Sequence, residues 1–425
     1  MAIFIKNIKS LINIENIPKD KASGIEMANM QSLDNAWILI RNDKIIDFGL
    51  MDKLDEKKIS FSKEEVEILN AEGKMVMPAF VDSHTHLVFP DTREKEYVYK
   101  IKGLSYEEIA KRGGGILNSS RKMKEISTEE LFVSSYHRAL EAMRWGTGAL
   151  EIKSGYGLSW ELERKMLLVI KKLKKALPIP VKSTFLGAHA VPEEYKSNPD
   201  KYVDIVVNEM IPKVSEEKLA DFIDVFCDRG FFTVAQTERI LAAGQLYGLQ
   251  AKIHANELDF SGGVQVGVKY NALSVDHLEY MGDDELRTLS GSKTMPTILP
   301  GAAFFLGLKL APARKIIDKG LPLAMATDFN PGSSPSGNMQ MIVSMASILY
   351  HMLPEEAITA TTLNTAYALG LSNKIGSIAK GKKANLIITK KIPSIDYIPY
   401  AYGENKLDLL MINGEFINFD RIEKI

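Results

Sequence analysis

Residues 79–87 read Ala-Phe-Val-Asp-Ser-His-Thr-His-Leu, an apolar run of strand length that ends in two histidines. Stretches in which apolar residues recur at helical spacing, such as 128–144 and 160–175, separate this run from others like it. The later runs cover residues 147–152, 181–186, 222–227, 250–254, 273–277, 294–299 and 321–326. Eight strands that alternate with helices are typical of a (β/α)8 barrel with a parallel sheet. The pattern therefore predicts an α/β protein built on a TIM-type barrel.

The two ends of the chain have a different, strand-rich pattern. Short apolar segments alternate with turns, and Asn413-Gly414 between apolar flanks is a strong signal for a type I′ hairpin. The segments are 36–40, 44–48 and 66–69 near the beginning, and 384–389 and 409–417 near the end. We therefore predict a composite β-sandwich domain formed by residues 1–77 and 373–425, attached to a barrel formed by residues 78–372.

The composition of the chain excludes several classes of protein. It has 425 residues, 53 Lys and Arg against 54 Asp and Glu, and a net charge of -1. No nucleic acid and no membrane is therefore expected as a partner. A single cysteine, Cys227, excludes a disulfide scaffold, and its apolar neighbours predict a buried thiol. Neither a secretory leader nor an apolar run of about 20 residues is found, which predicts a cytoplasmic protein.

Polar residues that can bind metals or move protons cluster where the predicted strands end. Five of the seven histidines lie at these ends, where the loops of a barrel form its active face. His84 and His86 are two residues apart on one strand, so both imidazoles point to the same side. His254 ends the fifth run, and Asp328 follows the eighth run, which neighbours the first in a closed barrel.

Three imidazoles and one carboxylate suit Zn²⁺ or Fe²⁺ and leave a position for water. Glu257, three residues after His254, is placed to accept a proton from that water and to donate it to a leaving nitrogen. His277 ends the sixth run and is suited to stabilise an oxyanion or to hold the water. Taken singly, each residue has an ordinary alternative: a partly exposed His-x-His pair, a solvated loop glutamate, and a core histidine with satisfied hydrogen bonds.

Longer motifs resemble a known family. Pro78-Ala-Phe-Val-Asp-Ser-His-Thr-His86 resembles the first-strand signature of the amidohydrolase superfamily, and residues 375–386 resemble its closing signature. Further motifs are similar to those of one member family, the imidazolonepropionases, and lie at residues 113–117, 151–158, 184–192, 276–280, 299–306 and 326–335. The resemblance covers nearly the whole chain in order.

This resemblance implies hydrolysis of the small molecule 4-imidazolone-5-propanoate to N-formimidoyl-L-glutamate in histidine degradation. It also implies a homodimer with one divalent or trivalent metal ion per subunit, zinc or iron. The implied metal ligands are His84, His86, His254 and Asp328. The implied catalytic residues are Glu257, as general base and acid, His277 and Asp328. The implied substrate contacts are Arg93, Tyr156, His189, Glu257, Asn330, Gly332 and Ser333.

The chemistry of this substrate agrees with these residues. Its propanoate group is an anion, for which an arginine such as Arg93 is the natural partner. Residues 330–334 offer polar donors near a predicted helix start, although an ordinary helix cap has the same composition. Phe89-Pro-Asp-Thr precedes Arg93 where the family commonly has small residues, which leaves the conformation of this loop open.

Two other functions share parts of this pattern. A deaminase of the same superfamily would have the metal ligands and Glu257, but a neutral ring needs no arginine for a carboxylate. A non-catalytic amidohydrolase-like scaffold would be expected to have lost ligands, and all of them are present. The fourth run lacks the lysine that would bridge two metals, so one metal is expected. Lys153 then lies either behind the metal site or in solvent.

Overall fold

The computed structural model describes residues 2–55, 66–104, 108 and 114–423. Within these ranges the strands form two sheets, one from the chain ends and one from the middle of the chain. The chain-end sheet contains β1 (Ala2–Ile12), β2 (Ser32–Arg41), β3 (Lys44–Leu50), β4 (Val66–Asn70), β5 (Lys74–Pro78), β15 (Leu386–Lys391), β16 (Leu407–Ile412) and β17 (Glu415–Phe416). The middle sheet contains β6 (Phe80–Asp82), β7 (Thr147–Lys153), β8 (Val181–Ala188), β9 (Phe222–Cys227), β10 (Gln250–Ala251), β11 (Ile253–Ala255), β12 (Ser274–His277), β13 (Met295–Ile298) and β14 (Ala324–Met325).

Helices fill most of the connections between the strands of the middle sheet. Those that precede β9 are α1 (Glu94–Ile101), α2 (Ile116–Glu125), α3 (Thr128–Arg144), α4 (Trp160–Ala176), α5 (Pro199–Ile205) and α6 (Ile211–Glu216). The later ones are α7 (Val234–Leu246), α8 (Gly263–Lys269), α9 (Asp283–Leu289), α10 (Pro300–Leu306), α11 (Ala313–Asp318), α12 (Met339–Tyr350), α13 (Pro354–Thr361), α14 (Leu363–Tyr367), α15 (Tyr397–Tyr400) and α16 (Phe419–Ile422). A π-helical turn, Val206–Met210, joins α5 to α6.

The two helices predicted from apolar spacing form where expected. The first, α3, has the predicted bounds, and α4 ends one residue later than predicted. A capping box starts α3: the Ser127 side chain accepts a hydrogen bond from the Glu130 backbone N–H, and Glu130 accepts one from the Ser127 N–H. Both helices bury an apolar face, which includes Leu140 and Leu167.

The middle sheet is a nearly closed parallel barrel, which confirms the predicted fold class. Its strand order is β14-β13-β12-β11-β9-β8-β7-β6, with β10 paired to β9. The gap between the last and first strands is closed just beyond their ends by backbone hydrogen bonds. The Asp328 N–H donates to the His84 carbonyl at 3.0 Å, and the His86 N–H donates to the Phe329 carbonyl at 2.9 Å. Closure of the barrel therefore sets Asp328 beside the two histidines.

The chain-end sheet has the order β17-β16-β15-β5-β1-β2-β3, with β4 paired to β1. The antiparallel pairing of β15 with β5 joins the two ends of the chain in one sheet. Asn413 and Gly414 both have positive φ, 50° and 78°, as a type I′ turn between β16 and β17 requires. We propose that this sheet is the core of a separate domain formed by residues 1–77 and 373–425.

The prediction for Cys227 agrees with the structure. This residue ends β9 and is fully buried. Burial raises the pKa of its thiol to about 11, so almost no thiolate is present at neutral pH. Among the described residues, no helix is both long enough and apolar enough to span a membrane.

Candidate metal centre and active site

Three buried histidines meet at the carboxyl end of the barrel. The Nε2 atoms of His84 and His254 are 3.1 Å apart, those of His84 and His86 are 3.3 Å apart, and those of His86 and His254 are 3.2 Å apart. Burial is the main cause that holds the pKa of both His84 and His86 well below the usual 6.5. Neutral rings retain the nitrogen lone pair that a metal ion needs.

Two aspartates determine which ring nitrogen of two of these histidines carries the proton. Oδ2 of Asp276 lies 2.7 Å from Nδ1 of His84, and Oδ1 of Asp224 lies 3.0 Å from Nδ1 of His254. Each carboxylate accepts the Nδ1 proton, so Nε2 is the nitrogen of each ring that is available to a metal ion. In the tautomer that these contacts select, two nitrogen lone pairs face each other at 3.1 Å. Such lone pairs repel unless a cation lies between them, so this group of nitrogens fits a metal ion.

The third histidine is held by packing. The ring of His86 stacks on the ring of His189, with centroids 5.0 Å apart and planes at 18°. Nδ1 of His86 makes no hydrogen bond within the described part of the chain. Nδ1 of His189 lies 3.0 Å from the carbonyl oxygen of Gly155, which can only accept a hydrogen bond. Its Nδ1 therefore carries the proton, and its Nε2 is an acceptor.

Asp328 completes a donor set of three imidazoles and one carboxylate. Its Oδ1 is 3.6 Å from Nε2 of His84 and 3.6 Å from Nε2 of His86. Its Oδ2 accepts hydrogen bonds from Nδ2 of Asn330 at 2.9 Å and from Oγ of Ser333 at 3.2 Å. One carboxylate oxygen is thus held by the loop while the other faces the histidines. Nitrogen and oxygen donors in this combination suit zinc or iron.

The loop after β14 folds around the side chain of Asn330. Its Oδ1 accepts hydrogen bonds from the backbone N–H groups of Gly332 and Ser333, both at 2.8 Å. These donors are therefore occupied, and the chain does not enter a helix here. The helix start predicted near residues 330–334 is wrong: α12 begins at Met339, where the side chain of Asn338 caps it.

Glu257 and His277 lie together beside the histidines. Both are buried, and Oε2 of Glu257 is 3.7 Å from Nε2 of His277. The ring of His277 is 5.3 Å, between centroids, from that of His254. Burial raises the pKa of Glu257. Burial lowers the pKa of His277, but the carboxylates of Glu257 and Glu279 outweigh this and raise it. The pair therefore combines a carboxyl group able to exchange protons near neutral pH with a donor.

The backbone at the end of β12 is strained where it positions His277. His277 and Leu278 have φ angles of 85° and 69°, in a region that residues with bulky side chains rarely adopt. Strain of this kind persists only where surrounding contacts hold it, and it is frequent at functional sites. Glu279, which follows, is buried with Oε2 at 3.8 Å from Nδ1 of His277.

Arg93 reaches from the loop after β6 to the neighbouring loop after β14. It precedes α1, and its guanidinium lies against Gly332 so closely that a Cβ at this glycine would stand 1.2 Å from Nη2. The side chain is 11% exposed, and its Nε makes no hydrogen bond within the described residues. Only a glycine leaves room for the guanidinium here.

Of the unusual residues before Arg93, Phe89 is buried, whereas Asp91 and Thr92 are exposed. The Phe89 ring is buried beneath the guanidinium of Arg138, 3.5 Å from its centroid. Arg138 also donates to the carbonyls of Leu87 and Phe89, both at 2.9 Å. The departure from small residues is therefore accommodated by a cation–π contact and two hydrogen bonds that anchor the loop.

Tyr156 and His189 line the same region as His86. Both are buried, their ring centroids are 5.4 Å apart, and Tyr156 is 6.0 Å from His86. Burial lowers the pKa of His189 to about 3, so the ring is neutral. These aromatic rings offer one wall against which a flat, uncharged ring could lie.

Several residues that shape the site were not predicted from the sequence as parts of it. Asp224 lies inside the fully buried strand β9, Lys252 is buried between β10 and β11, and Glu279 follows the strained turn. A charged residue in an apolar strand signals a buried partner, but not which one. For Lys153 the solvent-exposed alternative is wrong, because its side chain is fully buried between Glu151 and Asp224.

Comparison with known proteins identifies relatives of the whole chain. Residues 75–417 match the model of the amidohydrolase family. An imidazolonepropionase of Christiangramia forsetii is 52% identical over 417 residues, which cover 98% of this chain and 100% of that protein. An imidazolonepropionase of Geobacillus kaustophilus is 39% identical over 415 residues, which cover 98% and 97% of the two chains.

Solved structures show the same fold at much lower identity. Atrazine chlorohydrolase TrzN from Arthrobacter aurescens TC1, complexed with zinc, superposes with a TM-score of 0.71 at 13% identity, covering 99% of this chain and 98% of that one. Guanine deaminase of E. coli has a TM-score of 0.70 at 14% identity and covers 98% and 99%. At such identities the likeness concerns the fold alone.

One of the family motifs found in the sequence, residues 113–117, begins at Gly113, which lies outside the described residues.

Proposed function

The chain belongs to the amidohydrolase family and, within it, to the imidazolonepropionases, and we propose from its site geometry how it recognises and cleaves its substrate. It is a hydrolase that acts on a cyclic amide, and its substrate is a small molecule. The proposed reaction is cleavage of the ring amide C–N bond of 4-imidazolone-5-propanoate to give N-formimidoyl-L-glutamate. The observation that carries the proposal is the contact of Arg93 with Gly332, in the loop that holds Asp328.

We propose that His84, His86, His254 and Asp328 hold one metal ion, zinc or iron. When bound, such an ion acts as a Lewis acid and makes water nucleophilic near neutral pH. Asp224 and Asp276 support two of these ligands by holding the proton of each ring on Nδ1. Asn330 and Ser333 support Asp328 by donating hydrogen bonds to its Oδ2.

Glu257 and His277 are proposed to handle the charges that develop during hydrolysis. Glu257 accepts a proton from the attacking water at a carboxylate oxygen and donates it to the leaving ring nitrogen. His277 donates a hydrogen bond from Nε2 to the developing oxyanion. Their separation of 3.7 Å allows the two groups to act on one reacting centre from adjacent positions.

Substrate recognition is proposed to use both walls of the site. Tyr156 and His189 contact the flat imidazolone ring, with Nε2 of His189 as a hydrogen-bond acceptor. Arg93 is proposed to bind the propanoate, because within the described residues its Nε makes no hydrogen bond, with Oε2 of Glu96 3.9 Å away, and because a carboxylate fits a guanidinium in a bidentate pair. Gly332 leaves space for this pairing. Asn330 and Ser333 shape the surface of the loop beside the substrate.

Replacement of Arg93 by methionine tests the proposed function most directly. We expect a strong rise in KM, with the metal retained, because the change removes a contact to the substrate and leaves the metal ligands intact. A charge-assisted hydrogen bond contributes roughly 1.5 to 3 kcal/mol, so kcat/KM should fall on the order of 10- to 100-fold. The measurement is steady-state kinetics followed by ultraviolet absorbance.

The control for this variant is a substrate analogue in which a neutral amide replaces the carboxylate. The native enzyme should hydrolyse the analogue poorly. Arg93→Met should hydrolyse it at nearly the same low rate as the native enzyme, because the analogue has no carboxylate for Arg93 to bind. An equal loss on acid and amide would show that Arg93 does not bind the carboxylate. In that case the unusual residues Pro90-Asp91-Thr92, which lead to Arg93, would be the first place to look for the reason.

A substitution at Gly332 should displace Arg93 without unfolding the protein. The Cβ of Gly332→Ala would overlap the end of a flexible side chain, so the arginine can move and the barrel should keep its thermal stability. A displaced guanidinium no longer meets the propanoate in its productive geometry, and kcat/KM should fall on the order of 10-fold or more. Thermal unfolding and kinetics together check this. Native kinetics in Gly332→Ala would contradict the proposed position of the carboxylate.

A further inference from the structure

We propose that Lys153 is a positioning residue for the metal centre and acts through Asp224 on the imidazole of His254. The inference rests on the proposed metal site and extends it to a residue that contacts no metal ligand side chain. Lys153 ends β7 and Asp224 lies within β9, and both side chains are fully buried.

The contacts form a continuous chain from the ammonium group to the imidazole. Nζ of Lys153 donates to Oδ2 of Asp224 at 2.8 Å and to Oε1 of Glu151 at 2.7 Å. The other oxygen of Asp224, Oδ1, accepts from the backbone N–H of His254 at 3.1 Å and from Nδ1 of its ring at 3.0 Å. Each oxygen of the Asp224 carboxylate is therefore bound from a different side.

This arrangement fixes the orientation of the carboxylate and, through it, the ring. A carboxylate bound at one oxygen alone can rotate about its Cβ–Cγ bond, and a ring bonded to it can follow. The ammonium at Oδ2 removes that freedom, so Nε2 of His254 stays aimed at the other histidines. Burial lowers the pKa of Lys153, but the charges of Asp224 and Glu151 outweigh it and raise the pKa, which keeps the ammonium charged.

The corresponding support of His84 is built differently. Asp276 accepts the Nδ1 proton of His84 with Oδ2, while its Oδ1 makes no hydrogen bond within the described residues. The nearest lysine, Lys252, lies 3.8 Å from Oδ2 and donates instead to the Ser83 carbonyl at 2.6 Å. A close ammonium bond to the supporting carboxylate is therefore found for His254 and not for His84.

The test measures zinc affinity rather than activity. Native protein, Lys153→Met and a control are stripped of metal, and zinc binding is measured by competition with a chromophoric chelator. We expect Lys153→Met to bind zinc about 10- to 100-fold more weakly, the range usual for loss of a group that supports a ligand. The control is Lys382→Met, since Lys382 is also a buried lysine, bonded to Glu15 and Ser377 in the chain-end region. Its loss should leave zinc affinity unchanged.

A double-mutant cycle separates positioning from a general loss of stability. In Asp224→Asn the carboxylate that links Lys153 to His254 is already lost. Adding Lys153→Met to this variant should therefore weaken zinc binding little further. The absorption spectrum of the Co²⁺-substituted protein should change in Lys153→Met, because it reports the arrangement of the ligands, and should stay native in Lys382→Met.

A charge-balanced pair covers the case in which Lys153→Met does not fold. Glu151→Gln removes one carboxylate and keeps the bond from Lys153 to Asp224. Glu151→Gln/Lys153→Gln also removes the ammonium. The buried cluster of residues 151, 153 and 224 then keeps the net charge that it has in the native protein. We expect the second of these variants to bind zinc about 10-fold more weakly than the first.

The outcomes distinguish this inference from the proposed function. Native-like zinc affinity and Co²⁺ spectrum without Lys153 would overturn the inference and leave the metal site standing, as would an equal loss in the presence and absence of Asp224. A native protein that binds no metal would overturn the proposed function and this inference with it.

Discussion

Replacement of His254 by alanine is expected to abolish both metal retention and turnover. The change removes one of three nitrogens that lie within 3.3 Å of one another, and it leaves Asp224 without the ring it holds. Loss of a supporting group already costs about 10- to 100-fold in metal affinity, so loss of a ligand should exceed about 100-fold. His84→Ala and Asp328→Ala are expected to have the same consequence.

The measurement is elemental analysis of the purified protein together with the rate of substrate consumption. His137→Ala is the matched control, because His137 is exposed on α3 away from the barrel end. It should keep native metal content and native activity. Full metal occupancy in purified His254→Ala would refute the assignment of this residue as a ligand.

Glu257→Gln should keep the metal and lose at least about 10²-fold in kcat, the usual contribution of a positioned general acid or base. Glutamine has nearly the same size and shape, so the pocket should stay filled. Its amide cannot accept and return a proton. Because Glu257 is buried beside His277, a water molecule from the solvent cannot easily take over its role as the base.

The experiment compares kcat, KM and metal content of Glu257→Gln with those of Glu285→Gln. Glu285 is also buried, but it caps α9 and has no part in the site. The control should keep native kinetics. A fall in kcat of less than about threefold in Glu257→Gln would mean that another residue is the base, and His277 is the nearest candidate.

Local patterns were enough to predict the framework of this protein. Alternation of strand and helix signals predicted the barrel, and apolar spacing predicted α3 with the correct ends. A period of two on a strand put His84 and His86 on one side of the sheet, because side chains alternate in direction along any strand. Parallel strands in a barrel bring their carboxyl ends to one face, which is why His254 and Asp328 could be expected nearby.

One strand of the chain-end sheet was missed by the sequence analysis. β1 was not predicted, although it is 11 residues long and lies in the middle of the chain-end sheet. Lys6 and Lys9 interrupt its apolar residues, and its pairing with β2, β4 and β5 stabilises it in spite of them.

The sequence by itself therefore determined the fold class and the family, and it indicated candidate residues at the active end of the barrel. Only the tertiary structure decided which of these residues touch. Lys153 meets Asp224 across 71 positions of sequence, and Arg93 meets Gly332 where the loops after the first and last strands of the barrel come together. Contacts of this kind depend on how strands and loops from distant parts of the chain pack together. Hydrophobic periodicity records which face of an element is buried, and it holds no information about which buried charges become neighbours.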